Sequence, residues 1–185
     1  MLPPLTTARL RLTPADPADA GAVLRYYLDN QAHLAPWEPA RGADFYSEAD
    51  WRQRLLLSQT AGEAGQAAQY FLRPLAQPER VIGNASLSAI QRGPAQFCFF
   101  GYGIAAAAEG QGLMHEALGA LIAFAFAELN LHRLMANYMP RNQRSGRLLA
   151  RLGFVTEGLA KNYLRINGQW EDHVMTALSN DHWRA

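Results

Sequence analysis

The stretch Ala105-Ala-Ala-Ala108-Glu109-Gly110-Gln111-Gly112-Leu113-Met114 follows an alternating apolar run and opens directly into an apolar helical one. Two glycines one residue apart allow a tight turn with exposed backbone N–H groups, because glycine adopts positive φ without a steric penalty. The helix start that follows adds partial positive charge, so the junction suits a phosphate or pyrophosphate. Two other phosphate loops are excluded by what is missing. There is no Lys-Ser/Thr end of an ATP-binding loop, and neither the third glycine nor the acidic partner of a dinucleotide fingerprint. Taken alone, the stretch also reads as a glycine-rich connection with no ligand.

Upstream of it, Tyr70 to Leu72, Arg80 to Ile90 and Phe97 to Ile104 read as successive strands, broken by Pro74, Pro78 and the turn Gln91-Arg-Gly-Pro94. A meander is the simplest topology. Earlier still, Leu10 and Leu12 alternate with Arg9, Arg11 and Thr13 as a short strand ending at Pro14 and Pro17. Ala20, Val23, Leu24 and Tyr27 then share one helical face, which fades near Asp29 and Asn30. Residues 31 to 46, with Pro36, Pro39 and Gly42, predict a structured loop. Ser47 caps a helix packed through Trp51, Leu55 and Leu56, and Gly62 and Gly65 loosen the chain after it. Downstream, the pattern predicts a helix from Leu113 to Leu129, a strand from His132 to Tyr138 and a helix from Asn142 to Leu152. Strands near Phe154 to Leu164 and Trp170 to Leu178 complete an α/β sandwich, α+β in some schemes. With no internal repeat and no Ser/Gly linker, residues 1–185 are expected to form one domain.

Composition narrows the function classes. The chain's 185 residues are 49% hydrophobic and 18% charged, enough for one sizeable core. Seventeen Lys and Arg against sixteen Asp and Glu leave a net charge of +1. That field is too weak to make nucleic acid a default partner, so no direct nucleic-acid binding is expected. The one cysteine, Cys98, excludes an intrachain disulfide and clustered thiolates, and the five histidines lack paired metal-ligand spacing. No metal is expected, and Cys98 within Phe97-Cys-Phe-Phe100 reads as a buried structural residue. The most apolar run, Ala117 to Ala127, has eleven residues, whereas a membrane helix needs about twenty. The opening Met1-Leu-Pro-Pro-Leu lacks the pattern of a secretory signal. A cytoplasmic protein without membrane contact is the expectation.

A second informative stretch runs from Asn137 through Tyr138, Pro140, Asn142, Ser145 and Gly146 to Gly153 and Phe154. Asn142 can cap a helix in which Ser145, Leu148, Leu149 and Leu152 share one face, turning the Ser145 hydroxyl toward the core side. The plainer reading leaves Asn142 as a cap and Ser145 bonded to the preceding turn.

Together, these two stretches resemble the GNAT superfamily of N-acetyltransferases. Within it, Thr7-Ala-Arg-Leu-Arg-Leu12, His33-Leu-Ala-Pro-Trp37, Gly110-Gln-Gly-Leu-Met114, Ala136-Asn-Tyr-Met-Pro140, Asn142-Gln-Arg-Ser145 and Asp172-His-Val-Met-Thr-Ala-Leu178 are similar to ribosomal-protein-alanine N-acetyltransferases. The resemblance implies an acyl-CoA N-acyltransferase fold, a mixed splayed sheet flanked by helices, with acetyl-CoA entering between central strands. It implies that Ala107, Ala108, Glu109, Gly110, Gln111, Gly112, Leu113 and Met114 hold the pyrophosphate. Ala107 stands where the family usually has Gln or Arg, which leaves a backbone contribution there. Tyr102, Gly103 and Ile104 would pair their backbone with pantetheine, and Asn142 and Ser145 would lie beside the cofactor arm. The implied acceptor is the N-terminal alanine of a small-subunit ribosomal protein, bound by an enzyme that is a monomer or weak dimer. Another peptide, a polyamine or an aminoglycoside is the alternative acceptor, and a noncatalytic acyl-CoA-binding protein the alternative class.

Acetyl transfer needs a neutral amine beside the thioester, an oxyanion donor and a route for the amine proton. Several superfamily members place a catalytic tyrosine where this chain has Leu149, so Ser145, or Tyr138 from the adjoining strand, becomes the candidate acid. Glu116 is a candidate base, although the favoured reading is a first-turn helix acid whose negative charge complements the helix dipole. Glu38 and Asp172 lie in segments that can reach the acceptor side. His33, Trp37, Glu38, Tyr163 and Asp172 are the candidate acceptor-binding residues. Phe124 and Phe126 read as core, as does the side chain of Met114.

Overall fold

The computed structural model describes residues 2–184. β1 (Leu5–Thr6) and β2 (Leu10–Pro14) open as a short hairpin, and Leu10 and Leu12 point into the core as their alternation requires. A helical turn capped by Asp16 leads into α1 (Ala20–Asp29), whose buried stripe is Ala20, Val23, Tyr26 and Tyr27. Residues 31 to 46 are not a plain loop. They form α2 (Gln31–Leu34) and two 3-10 turns, Ala35–Trp37 and Ala43–Tyr46. Their prolines and glycine forbid one long helix, and aromatic packing supplies the order instead. Phe45 meets the rings of Tyr27 and Trp51 edge-on, and Tyr27 stacks on Trp51 at 4.7 Å. Trp51 belongs to α3 (Glu48–Glu63), capped by Ser47 as its sequence predicts.

β3 (Ala68–Pro74), β4 (Gly83–Gln91) and β5 (Phe97–Ile104) continue from β2 as an antiparallel meander. After β5 come α4 (Leu113–Ala127), β6 (Arg133–Tyr138), α5 (Gln143–Arg151) and the hairpin of β7 (Val155–Ile166) and β8 (Gln169–Ser179). The eight strands lie in the order β1-β2-β3-β4-β5-β6-β8-β7. α4 packs on β1, β2 and β4 with Leu118, Leu121 and Phe124 buried, Phe124 edge-on to Tyr70, and α3 packs on β3 and α1. The expected α/β architecture with a mixed, splayed sheet is thus present.

One junction positions everything that follows. Among the described residues, β5 and β6 are the single parallel pair, and only Phe97, Cys98 and Phe99 find partners, in Arg133, Leu134 and Met135. β6 keeps pairing with β8 through Ala136, Asn137 and Tyr138, while β5 stays with β4 through Ile104. The two strands therefore diverge beyond Phe99 and leave a wedge between them. Ala105 N–H donates to Ile82 O on the β4 side. Alternation along the ladder then turns the main chain of Gly103 toward β4 and those of Tyr102 and Ile104 into the wedge.

Candidate active site

The wedge continues into a cleft of about 1020 Å³ bounded by α2, β5, the glycine loop and α5. Gly110 and Gly112 both have φ of +75°, the left-handed conformation that makes the loop possible, and Gly112 is the N-cap of α4. Among the described residues, the amides of Gly110 through His115 donate to no protein acceptor. Six unpaired N–H groups at the start of a fifteen-residue helix form an anion seat.

Facing the loop, α5 presents Arg144, Arg147 and Arg151 to the cleft, with Arg141 just before the helix. Spacings of three and four put the helical arginines on one stripe. Among the described residues, Glu38 and Glu109 are the only carboxylates lining the cleft, so it is locally cationic in a chain of net charge +1. Arg144 pairs with Glu109 across the mouth, and His33 Nε2 lies 3.7 Å from the same carboxylate and 3.2 Å from Ile104 O. Arg141 pairs with Glu171 at 2.6 Å, donates to Pro36 O and sits 5.7 Å over the Trp37 ring. It thereby ties the 36–37 turn to α5 and β8.

Asn142 Oδ1 accepts from Ser145 N at 3.1 Å, the cap its sequence predicts. The Ser145 hydroxyl is not spent on the preceding turn. It makes a 2.7 Å hydrogen bond with Tyr102 Oη from β5. Burial pushes the Tyr102 phenol up to about 12, partly offset by Ser145 and reinforced by Tyr138, so Tyr102 holds its proton at neutral pH. The two hydroxyls form a short donor chain on the cleft wall. Leu149, which occupies the position of the family's tyrosine, is 1% exposed and belongs to the core.

Of the residues expected to hold cofactor, Tyr102, Gly103, Ile104, Ala108, Glu109, Gly110, Gly112, Leu113, Met114, Asn142 and Ser145 line the cleft. Ala107 and Gln111 do not: Gln111 Nε2 turns back to donate to Ala107 O at 2.9 Å. His33, Trp37 and Glu38 line it as well. Tyr163 and Asp172 lie outside it, Tyr163 edge-on to His173 and Asp172 bonded to Lys161 Nζ and Asn162 N within the β7–β8 hairpin. Tyr138 packs its ring where a Cβ on Gly146 would come within 2.8 Å, and it too is off the cleft wall.

Glu116 is committed elsewhere. Thr7 Oγ1 and Arg9 N donate to its Oε1 at 2.6 and 2.8 Å, and Arg9 Nε donates to Oε2 at 2.7 Å. Burial alone would raise its carboxyl, but the Thr7 and Arg9 contacts outweigh burial and hold it below the ordinary value. It clamps the β1–β2 hairpin to α4. The arginine stripe and the Tyr102 hydroxyl are the residues that sequence reading passed over. The stripe was visible as 144, 147, 151; the Tyr102 contact spans two elements and left no local signal.

Residues 9–155 match the family model of the acetyltransferase (GNAT) domain. The ribosomal protein uS5-alanine N-acetyltransferase of Escherichia coli (strain K12) is 44% identical over 179 residues, 97% of this chain and 92% of that protein. The crystal structure of a ribosomal-protein-S5-alanine acetyltransferase from Vibrio fischeri superposes with a TM-score of 0.95 at 37% identity, over 100% of both chains. Mycobacterium smegmatis RimJ, solved with CoA-disulfide, gives 0.88 at 28% identity over 99% of this chain and 88% of that one. A splayed sheet, a glycine-built anion seat and these likenesses lead to one assignment: the chain belongs to the GNAT acetyltransferase family and is an acetyl-CoA-dependent acetyltransferase.

Proposed function

We propose that the chain transfers acetyl from acetyl-CoA to the N-terminal alanine amine of ribosomal protein uS5, by direct attack in a ternary complex. The observation that carries the chemistry is the Tyr102–Ser145 hydroxyl pair on the cleft wall. Support for the acceptor comes from the Escherichia coli relative, described as acting on that alanine and aligned along nearly all of both chains.

In this reading the Gly110–His115 amides and the α5 arginines receive the phosphates, and the main chains of Tyr102 and Ile104 receive pantetheine. Asn142 keeps Ser145 in place, and Ser145 protonates the departing sulfur with Tyr102 behind it. A CoA thiolate resembles a thiol of pKa about 8.5, so a weak acid suffices. An α-amine, at about 7.7 to 8.0 against about 10.4 for lysine, reaches its neutral form with little help. Cys98 is fully buried and its thiol is pushed up to about 12 by burial, which disfavours a covalent acetyl-cysteine relay. Trp37 and Glu38 form the acceptor side of the cleft, where Glu38 can meet the amine.

The test is mass spectrometry of unacetylated small-subunit ribosomal proteins incubated with the enzyme and acetyl-CoA. Acetyl on the uS5 α-amine is the expected product. Turnover of polyamines or aminoglycosides with none on Ala-starting peptides would overturn the acceptor assignment.

A further inference from the structure

Of the two carboxylates in the cleft, Glu109 stands where it opposes a ligand. Its backbone closes the 3-10 turn Ala106–Ala108, with its N–H donating to Ala106 O, and the six free amides begin at the next residue. Asn30, at the end of α1, fixes the start of that turn by accepting from Ala106 N at 3.0 Å. A negative side chain is thus built into the rim of an anion seat, where it repels the group that the amides attract.

The carboxylate has a neighbour on each of two other walls. Its Oε2 accepts from Arg144 of α5, and its Oε1 lies 3.7 Å from His33 Nε2 of α2. That nitrogen is also 3.2 Å from Ile104 O, which can only accept, so Nε2 carries a proton and presents it beside Glu109. Arg144 differs from the rest of its stripe. Among the described residues, Arg147 and Arg151 form no ion pair, and only the arginine that reaches the glycine loop is taken by a carboxylate. Arg144 lies in the first turn of α5 with a largely exposed side chain, so it can turn without disturbing the core. A guanidinium released from a carboxylate meets a phosphate with the same fork of donors.

We propose that Arg144 exchanges partners in each catalytic cycle: Glu109 when the seat is empty, a cofactor phosphate when it is filled, with His33 remaining to Glu109 in the filled state. The proposal rests on the cofactor path proposed above. Each binding event then breaks the Glu109–Arg144 pair and brings phosphate beside a carboxylate, and each release restores the pair. Glu109 thereby weakens acetyl-CoA and product CoA alike, which keeps the spent cofactor from holding the site. It sets cofactor affinity through Arg144 and takes no part in the bond-making step.

Calorimetric titration of the full chain with CoA tests the exchange. Glu109→Ala should bind CoA roughly three- to tenfold more tightly, and should bind S-acetylpantetheine, which carries no phosphate, as the wild type does. Glu109→Gln, which keeps the side chain's shape, should shift CoA binding in the same direction. Arg144→Ala separates exchange from simple repulsion. In the wild-type background it removes a phosphate contact together with the pair that contact had to replace, so its cost is small. In the Glu109→Ala background it removes the phosphate contact alone, and the loss of CoA affinity should be about two- to fivefold larger. Equal, nonzero losses in the two backgrounds would overturn the exchange, as would weaker CoA binding by Glu109→Ala. An Arg144→Ala change without effect in either background would place the phosphates elsewhere and overturn the cofactor path as well.

Discussion

At Ser145, one hydroxyl serves a helix and a strand at once. Its backbone N–H is taken by the Asn142 cap, which frees the side chain from local duty and fixes its direction toward Tyr102 Oη. In the proposed reaction, a donor so placed would act on charge that develops on sulfur, and little on substrate binding. Ser145→Ala is therefore expected to lower kcat about a hundredfold while leaving acetyl-CoA affinity near that of the wild type. Tyr102→Phe should cost less, since Ser145 keeps its own proton. Steady-state kinetics combined with calorimetric binding separate the two effects, and an unchanged kcat in Ser145→Ala would remove the hydroxyl from the chemistry.

At the scale of the element, α5 has two working faces. Leu148 and Leu149 anchor it to the core, and Arg144, Arg147 and Arg151 turn to the cleft opposite the loop amides. Arg144 is about 71% exposed in its side chain, so each arginine is a screened contact worth well under a full buried ion pair. Their effect is collective. Replacing Arg147 and Arg151 by alanine should raise the acetyl-CoA KM roughly three- to tenfold at low salt, with kcat retained. The same comparison at high salt should show a smaller gap, because screening removes from the wild type what the substitutions removed from the variant. A gap that does not respond to salt would mean the arginines act by shape.

For the whole molecule, the site depends on holding separate parts of the sheet together. Glu116 joins the β1–β2 hairpin to the helix that follows the glycine loop, and Arg9 Nη1 also donates to Gln111 O at 2.9 Å. Because the folded-state carboxyl lies below its ordinary value of 4.5, this contribution is complete above that pH. It is lost as pH falls through the folded value. Glu116→Gln should lower the urea midpoint at pH 7 by an amount equivalent to about 1 kcal/mol. The difference should close as both proteins are taken below pH 4.5. A pH-independent difference would show that the charge contributes nothing to the clamp.

Local chemistry in the sequence determined the elements. The meander, the left-handed glycines of the loop after it, the apolar α4 and the Asn142 cap all depend on neighbours within a few residues. Their periodicity and turn residues make them legible without the fold. The aromatic order of residues 31 to 46 was not legible, because Phe45 is held by rings from α1 and α3. Nor was the fate of Glu116, whose partners lie more than a hundred residues away. Only the tertiary structure decided which titratable residues share the cleft, since the Tyr102–Ser145 bond, the off-cleft positions of Tyr163 and Asp172, and the wedge itself follow from where β5 stops pairing with β6. Periodicity reports which face of an element is buried; the meeting of two faces is set by sheet order and by the three-residue parallel junction that lets the strands part.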